Sequence, residues 1–209
     1  MKICRSPRLT FPYKVNTKKE RLEDFKTAIS STVRTLSNSK KIEVFFGKEI
    51  SNSEKNSIKL PALEQQSNKI NYKQIRAIAD SESLRLRFSS KKIYKKFEPE
   101  GNISKKLYSI SEKIRCEKIG TSYFKGVKNN IETFYQERIS GLDLKSSEDK
   151  IVESFENFLR TKFLNFTNNS EIDKKLKAYK EDLSKKFKNK LDQLSDFTLN
   201  QEKFNSLIS

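Results

Sequence analysis

Histidine is missing from this chain altogether, and that single absence excludes more chemistry than any residue present supplies. Without an imidazole there is no Ser-His-Asp triad, no Cys-His pair, no His-bearing zinc site and none of the commonest general bases. Cysteine is nearly absent: Cys4 and Cys116 stand far apart and form no CxxC, so neither a disulfide framework nor a thiolate metal site is indicated, and a reduced thiol is expected. No GxxxxGKS/T and no GxGxxG occurs, which removes the two familiar phosphate-cradling loops. Five glycines and four prolines are few, and Pro7, Pro12 and Pro61 all fall in the first third. The rest of the chain therefore has little to interrupt long helices. No run approaches the roughly 18 apolar residues that span a bilayer, and Met1 to Lys19 lacks the apolar stretch of a signal peptide. A cytoplasmic protein without a membrane segment is expected.

What is present points to a packed, mainly α protein. Fifteen Phe and seven Tyr among 209 residues supply large apolar side chains that a disordered chain lacks. A chain of this length buries roughly 70% of its unfolded surface. The formal net charge is +17, and lysine dominates it, with only ten arginines. The accompanying richness in Asn, Ile and Ser is the mixture that AT-rich codons favour. Readers of phosphate and bases lean on the planar fork of Arg, so a basic helical nucleic-acid-binding protein stands as the alternative reading. A positive domain also attracts acidic partner segments.

Along the chain, residues 1–16 read as an irregular arm and residues 17–209 as a single helical domain. Thr17-x-x-Glu20 is a capping box followed by Leu22, Phe25, Ile29, Val33 and Leu36 at helical spacing. Ile42, Val44, Phe45 and Phe46 form a short β-prone run closed by Gly47; with Ser57 to Leu60 it predicts a small β-hairpin within residues 41–60. Asn71 caps a second helix that is expected to run through Ile93, Tyr94 and Phe97 to the stop at Pro99-Glu100-Gly101. A stretch from Ser104 continues past Gly120 to Ile139, with Gly120 and Gly126 marking a bend or a close crossing. Ser147 opens a further helix that Asn168-Asn169 ends. From Ser170 to Phe197 a narrow stripe (Ile172, Leu176, Tyr179, Leu183, Phe187, Leu191, Leu194, Phe197) reads as a long outer helix.

Two polar clusters interrupt these apolar patterns. Arg76, Asp80 and Arg85 share the Asn71 helix, with Arg87 beside them, and Arg76 and Asp80 sit four residues apart, within pairing reach. In the next helix Glu112, Arg115 and Glu117 follow at Glu-x-x-Arg-x-Glu spacing. These six, Arg76, Asp80, Arg85, Glu112, Arg115 and Glu117, are candidate buried ion-pair residues that set packing register, or candidate interface residues for a partner subunit. No catalytic, cofactor-binding or metal-ligating set is expected. A carboxylate-only Mg²⁺ site is chemically possible, yet no spacing singles one out.

The same segments carry a resemblance. Ala79-Asp80-Ser81-Glu82-Ser83-Leu84-Arg85-Leu86-Arg87, then Glu112-Lys113-Ile114-Arg115-Cys116-Glu117-Lys118-Ile119-Gly120, then Phe124-Lys125-Gly126-Val127-Lys128-Asn129-Asn130-Ile131 resemble the amino-terminal region of the CobT subunit of aerobic cobaltochelatase. Phe45-Phe46-Gly47, Leu60-Pro61 and Leu191-Asp192-Gln193-Leu194 also fit, so the likeness spans residues 18–208. The resemblance implies a subunit of the ATP-dependent machine that inserts Co²⁺ into hydrogenobyrinic acid a,c-diamide during cobalamin synthesis. It implies as partners a CobS-like AAA+ ATPase subunit and a CobN-like large chelatase subunit, with self-association besides. ATP with Mg²⁺, and Co²⁺, belong to the complex; the resemblance places no cofactor in this chain. Full CobT subunits continue through an acid-rich linker into a von Willebrand A-type domain with a metal-binding DxSxS motif. Asp80-Ser81-Glu82-Ser83 does not match that motif, and the sequence is expected to be a fragment or a shortened relative. Phe88-Ser89-Ser90 stands where relatives carry Cys-His-Asp, so any role of that histidine is lost here.

Overall fold

The computed structural model describes residues 17–47, 57–63, 71–144, 146–168 and 170–209; the expected arm at 1–16 lies outside them. Among the described residues are eight helices and one two-stranded sheet, so the mainly α expectation holds. Helix α1 (Lys18–Leu36) begins as its sequence dictates. The Glu20 amide donates to Thr17 Oγ1 at 3.2 Å and the Thr17 amide to Glu20 Oε2 at 2.6 Å, a reciprocal cap of the sort that stabilises a helix start by about 1 kcal/mol.

Strands β1 (Glu43–Phe46) and β2 (Ser57–Leu60) correct the hairpin expectation, because they pair in parallel with Val44 opposite Ile58 and Phe46 opposite Leu60. A tight turn would have forced the chain to return antiparallel. Ten residues separate Phe46 from Ser57, more than a tight hairpin turn uses. Gly47 makes the exit: at φ +76 it occupies left-handed space, donates its amide to the Leu60 carbonyl at 2.9 Å, and leaves room for Ala62, whose Cβ would lie 3.0 Å from any Cβ added there.

Helix α2 (Tyr72–Phe88) is capped by the Asn71 side chain, which accepts from the Gln74 amide at 3.0 Å. It does not run on to Phe97. Ser89 and Ser90 are extended, and a separate α3 (Lys91–Phe97) follows. The backbone groups freed by that break are taken by a residue far along the chain: the Ser90 amide donates to Gln201 Oε1 at 2.7 Å, and Gln201 Nε2 donates to the Ser90 carbonyl at 3.2 Å. Local periodicity could not announce a partner more than a hundred residues away.

Helix α4 (Asn102–Tyr123) and helix α5 (Lys125–Ser140) meet at Phe124 alone, which ends one and begins the other. The two glycines behave differently. Gly120 is a close crossing, since a Cβ there would stand 2.3 Å from Leu84 Cδ2, whereas a Cβ on Gly126 would meet nothing within 4 Å. Helix α6 (Ser147–Leu164) is capped by Ser146 and stops at Asn165, whose left-handed φ of 52 ends it before the expected Asn168-Asn169. Helix α7 (Ser170–Asp196) buries Ile172, Leu176 and Leu194 of the expected stripe and half-buries Leu183, Phe187 and Leu191. Helix α8 (Gln201–Ile208), which the sequence reading did not contain, packs Phe204 edge-on against Phe163.

Helix α4 lies in the middle, against α2, α5, α6 and α8. Around it the larger core gathers Leu84, Ile114, Ile139, Phe158, Phe163 and Phe204. A smaller core joins α1 and the sheet to the first half of α2 through Val33, Ile58, Leu60 and Ile75. No helix among the described residues is long and apolar enough to cross a membrane.

Candidate functional site

Helix α4 carries two charge networks on opposite sides. On one, Arg115 and Glu112 are both essentially sealed from solvent, 1% and 0% exposed, and bind in bidentate fashion: Nε to Oε2 and Nη2 to Oε1, each at 2.8 Å. The remaining donors reach backbone carbonyls, Nη2 to Phe88 at 2.6 Å and Nη1 to Thr198 at 3.0 Å. Phe88 is the last residue of α2, and its carbonyl is one of those a helix end leaves without an internal partner. A guanidinium there also meets the negative end of the helix dipole. Arg115 thus clamps α2, α4 and the α7–α8 connection together.

On the other side Glu117 does not turn toward Arg115. Its carboxylate accepts from Ser81 Oγ at 2.5 Å and from Arg160 Nη1 at 2.6 Å. Arg160 Nε donates to Glu156 Oε1 at 2.8 Å, Arg138 Nη2 donates to Glu156 Oε2 at 2.9 Å, and Arg138 grips Glu153 with both terminal nitrogens at 2.8 Å. The chain of pairs links α2, α4, α5 and α6. Burial opposes the charge on Glu156, yet Arg160, Arg138 and Lys113 together hold its carboxyl below the ordinary range. Burial likewise opposes Arg160, and Glu117 and Glu156 outweigh it, pushing the guanidinium pKa up. The Tyr135 ring lies under both guanidinium groups, 4.8 Å from Arg160 and 5.4 Å from Arg138. Its hydroxyl comes within electrostatic reach of Asn157 but closes no hydrogen bond of good geometry.

The other sequence candidates separate. Arg76 is exposed while Asp80 is buried, and the carboxylate of Asp80 accepts from Asn130 Nδ2 at 2.8 Å, with Arg76 adding only a favourable field. Burial wins over both, so the Asp80 carboxyl is raised above its ordinary value of 3.8. A raised folded-state pKa means that the stability this group contributes is complete below 3.8 and lost as pH climbs through the higher native value. Asp80→Asn should therefore melt higher than the parent at neutral pH, with the gap closing as pH falls toward 3.8; melting curves across that range check it. Arg85 is half-buried, 4.0 Å from Glu82 and stacked on the Tyr94 ring at 5.6 Å.

Arg138, Glu153, Glu156, Arg160 and Asn130 escaped the sequence reading. A signal existed: in a chain with thirty-four lysines and ten arginines, an Arg on an apolar helix marks a place where the weakly hydrated bidentate fork matters. Glu153, Glu156 and Arg160 are spaced for one face of α6.

The chemistry these arrangements can perform is narrow. Each of these guanidinium groups is met by one or two carboxylates. Burial, with Glu112 second, pushes the Cys116 thiol well up, so it stays protonated and a poor nucleophile. Among the described residues no three Cys, Asp or Glu side chains converge as metal ligands. Among the openings to solvent is a cleft of about 490 Å³ above Arg115, walled by Phe88, Ile93, Ile119, Tyr123 and Leu199. The comparisons come to rest on the same region and beyond it: the family model described as cobalamin biosynthesis protein CobT matches residues 19–209, in agreement with the resemblance carried by the three sequence blocks. No solved structure matches the chain.

Proposed function

Because the chain belongs to the CobT family of cobalamin biosynthesis, we propose that it is a non-catalytic assembly subunit, or subunit domain, of an ATP-dependent cobaltochelatase-like complex, and that it acts by binding the AAA+ ATPase subunit. In this reading the large chelatase subunit holds the tetrapyrrole, hydrogenobyrinic acid a,c-diamide; the ATPase consumes ATP with Mg²⁺; and Co²⁺ is the inserted substrate. The observation that supports it most is the self-sufficiency of the buried charges: Glu112, Glu117 and Glu156 are each committed to an arginine, leaving helices that act through their surfaces. Arg115 cannot serve as the surface probe of such a contact, since its charge is sealed inside; a reversal to Glu would set two carboxylates together in the core. The test is co-purification of the full chain with the ATPase subunit encoded in the same genome. A stable complex is expected; its absence at low salt ends the reading.

A further inference from the structure

Between α2, α4, α5 and α6 lies a cavity of about 260 Å³, and the second charge network forms one wall of it: Glu117, Arg138, Glu156 and Arg160 all line it. Every oxygen of these two carboxylates is in use. Glu117 accepts from Ser81 and Arg160, Glu156 from Arg160 and Arg138. Donors, by contrast, are left over. Arg160 spends Nε and Nη1 on the two acids, while its Nη2 makes no hydrogen bond with any described residue and is not among the sealed atoms, although the side chain as a whole is only 3% exposed. Lys113, one turn before Glu117 on α4, also lines the cavity. Its ammonium, half-buried, makes no hydrogen bond or ion pair with any described residue, and Glu156 feels only its field.

Two cationic donors without an acceptor, on one cavity, call for an acceptor that the chain does not supply. The rest of the lining says what else that molecule must carry. Ala77 and Ile78 of α2 and Ile131 and Phe134 of α5 complete the wall with hydrocarbon, the mixture of apolar surface and a few placed polar groups that marks small-molecule sites. Charge sets an upper limit: Lys113, Arg138 and Arg160 face Glu117 and Glu156, and Glu153 grips Arg138 from outside the lining. Acids and bases are then even, so a dianion meets net repulsion where a monoanion beside Lys113 does not. Size sets another, since about 260 Å³ is below the roughly 300–1,000 Å³ of drug-sized ligands; a nucleotide or a tetrapyrrole has no room. We infer that this cavity binds a small organic monocarboxylate, its oxygens accepting from Lys113 Nζ and Arg160 Nη2 and its hydrocarbon part lying against Ile78, Ile131 and Phe134. The inference goes beyond the assembly reading and does not rest on it.

Benzoate is the probe, titrated into the full chain by calorimetry at constant ionic strength, with melting curves alongside. Benzyl alcohol, which keeps the ring and drops the charge, and inorganic phosphate, which keeps the charge and drops the ring, are the controls. Saturable binding of benzoate is expected, with a melting temperature that rises with its concentration, and both controls should bind about tenfold more weakly or worse. Lys113→Met, whose parent ammonium has no partner to lose and whose melting curve without ligand should stay near the parent's, is expected to weaken benzoate about tenfold or more and to leave benzyl alcohol unchanged. Lys113→Arg should retain benzoate. No saturable binding of benzoate, benzyl alcohol or phosphate binding as tightly as benzoate, or a Lys113→Met chain that binds benzoate like the parent would each overturn the inference. The comparison of the three probes needs only the parent chain, so it decides even if the variant does not fold. Co-purification with the ATPase has no bearing on this outcome, and each reading can fail alone.

Discussion

Arg160→Ala is expected to lower the unfolding free energy by about 3–5 kcal/mol, because it strands Glu117 and half of Glu156 as buried, uncompensated carboxylates. Urea denaturation at neutral pH measures it. The direction of the effect is set by what remains, not by what the pair contributed. Arg160 is 3% exposed, and its two pairs, 2.6 Å to Glu117 and 2.8 Å to Glu156, leave those oxygens nowhere else to turn. Two further variants separate the causes. Arg160→Lys keeps the charge but supplies a point donor where a planar fork bridged two acids, and is expected to lose much of the same stability. Replacing Arg160, Glu117 and Glu156 together with apolar residues of similar volume should recover most of the loss, since a matched set of buried ions is close to neutral against well-packed hydrocarbon. If Arg160→Ala melted like the parent, the network between α2, α4, α5 and α6 could not be as drawn.

Gly120→Ala should cost about 1–3 kcal/mol by overpacking, despite alanine being the better helix former by roughly 1 kcal/mol. In an exposed helix the substitution would stabilise. Here the new Cβ would stand 2.3 and 2.4 Å from the two Leu84 methyl carbons and 2.8 Å from its Cγ, and Leu84, fully buried, has no solvent to move into. Larger residues such as valine should prevent folding. The check is a thermodynamic cycle with Leu84→Ala: each single change destabilises, and the double variant should be more stable than their sum because the truncated side chain yields the space that the added methyl requires. Strict additivity would mean that α2 and α4 do not cross at this point.

Both predictions concern features of unequal visibility in the sequence. Helices announced themselves where local signals agreed: the Thr17 box, the Asn71 cap and the stripe on α7 needed only neighbours within a turn. Glu112 and Arg115 paired as their spacing required, because the partner was three residues away. Glu117 stood among the buried ion-pair or interface candidates without an assigned partner, since its arginine, Arg160, comes from α6, and no rule of spacing within α4 reaches there. The break at Ser89-Ser90 was missed for the same reason, its stabilising amide being Gln201. The strand pair was placed correctly and oriented wrongly: alternation identifies strands, but direction depends on the path between them. The cleft is the least legible part, as Tyr123 and Leu199 carry no motif and become neighbours only when the ends of α4 and α7 converge.

The buried networks also decide where the protein's charge is felt. The buried and half-buried networks hold Arg115, Arg138 and Arg160 against Glu112, Glu117, Glu153, Glu156 and Asp80, so they house none of the positive excess of +17. That excess is carried by residues outside those networks, lysines for the most part. Ions of the medium, which damp fields between exposed groups over about 10 Å at 0.1 M, therefore act on how the molecule meets its neighbours and hardly touch what keeps its helices in place. Encounter and architecture answer to different conditions, and a cell can adjust the first without disturbing the second.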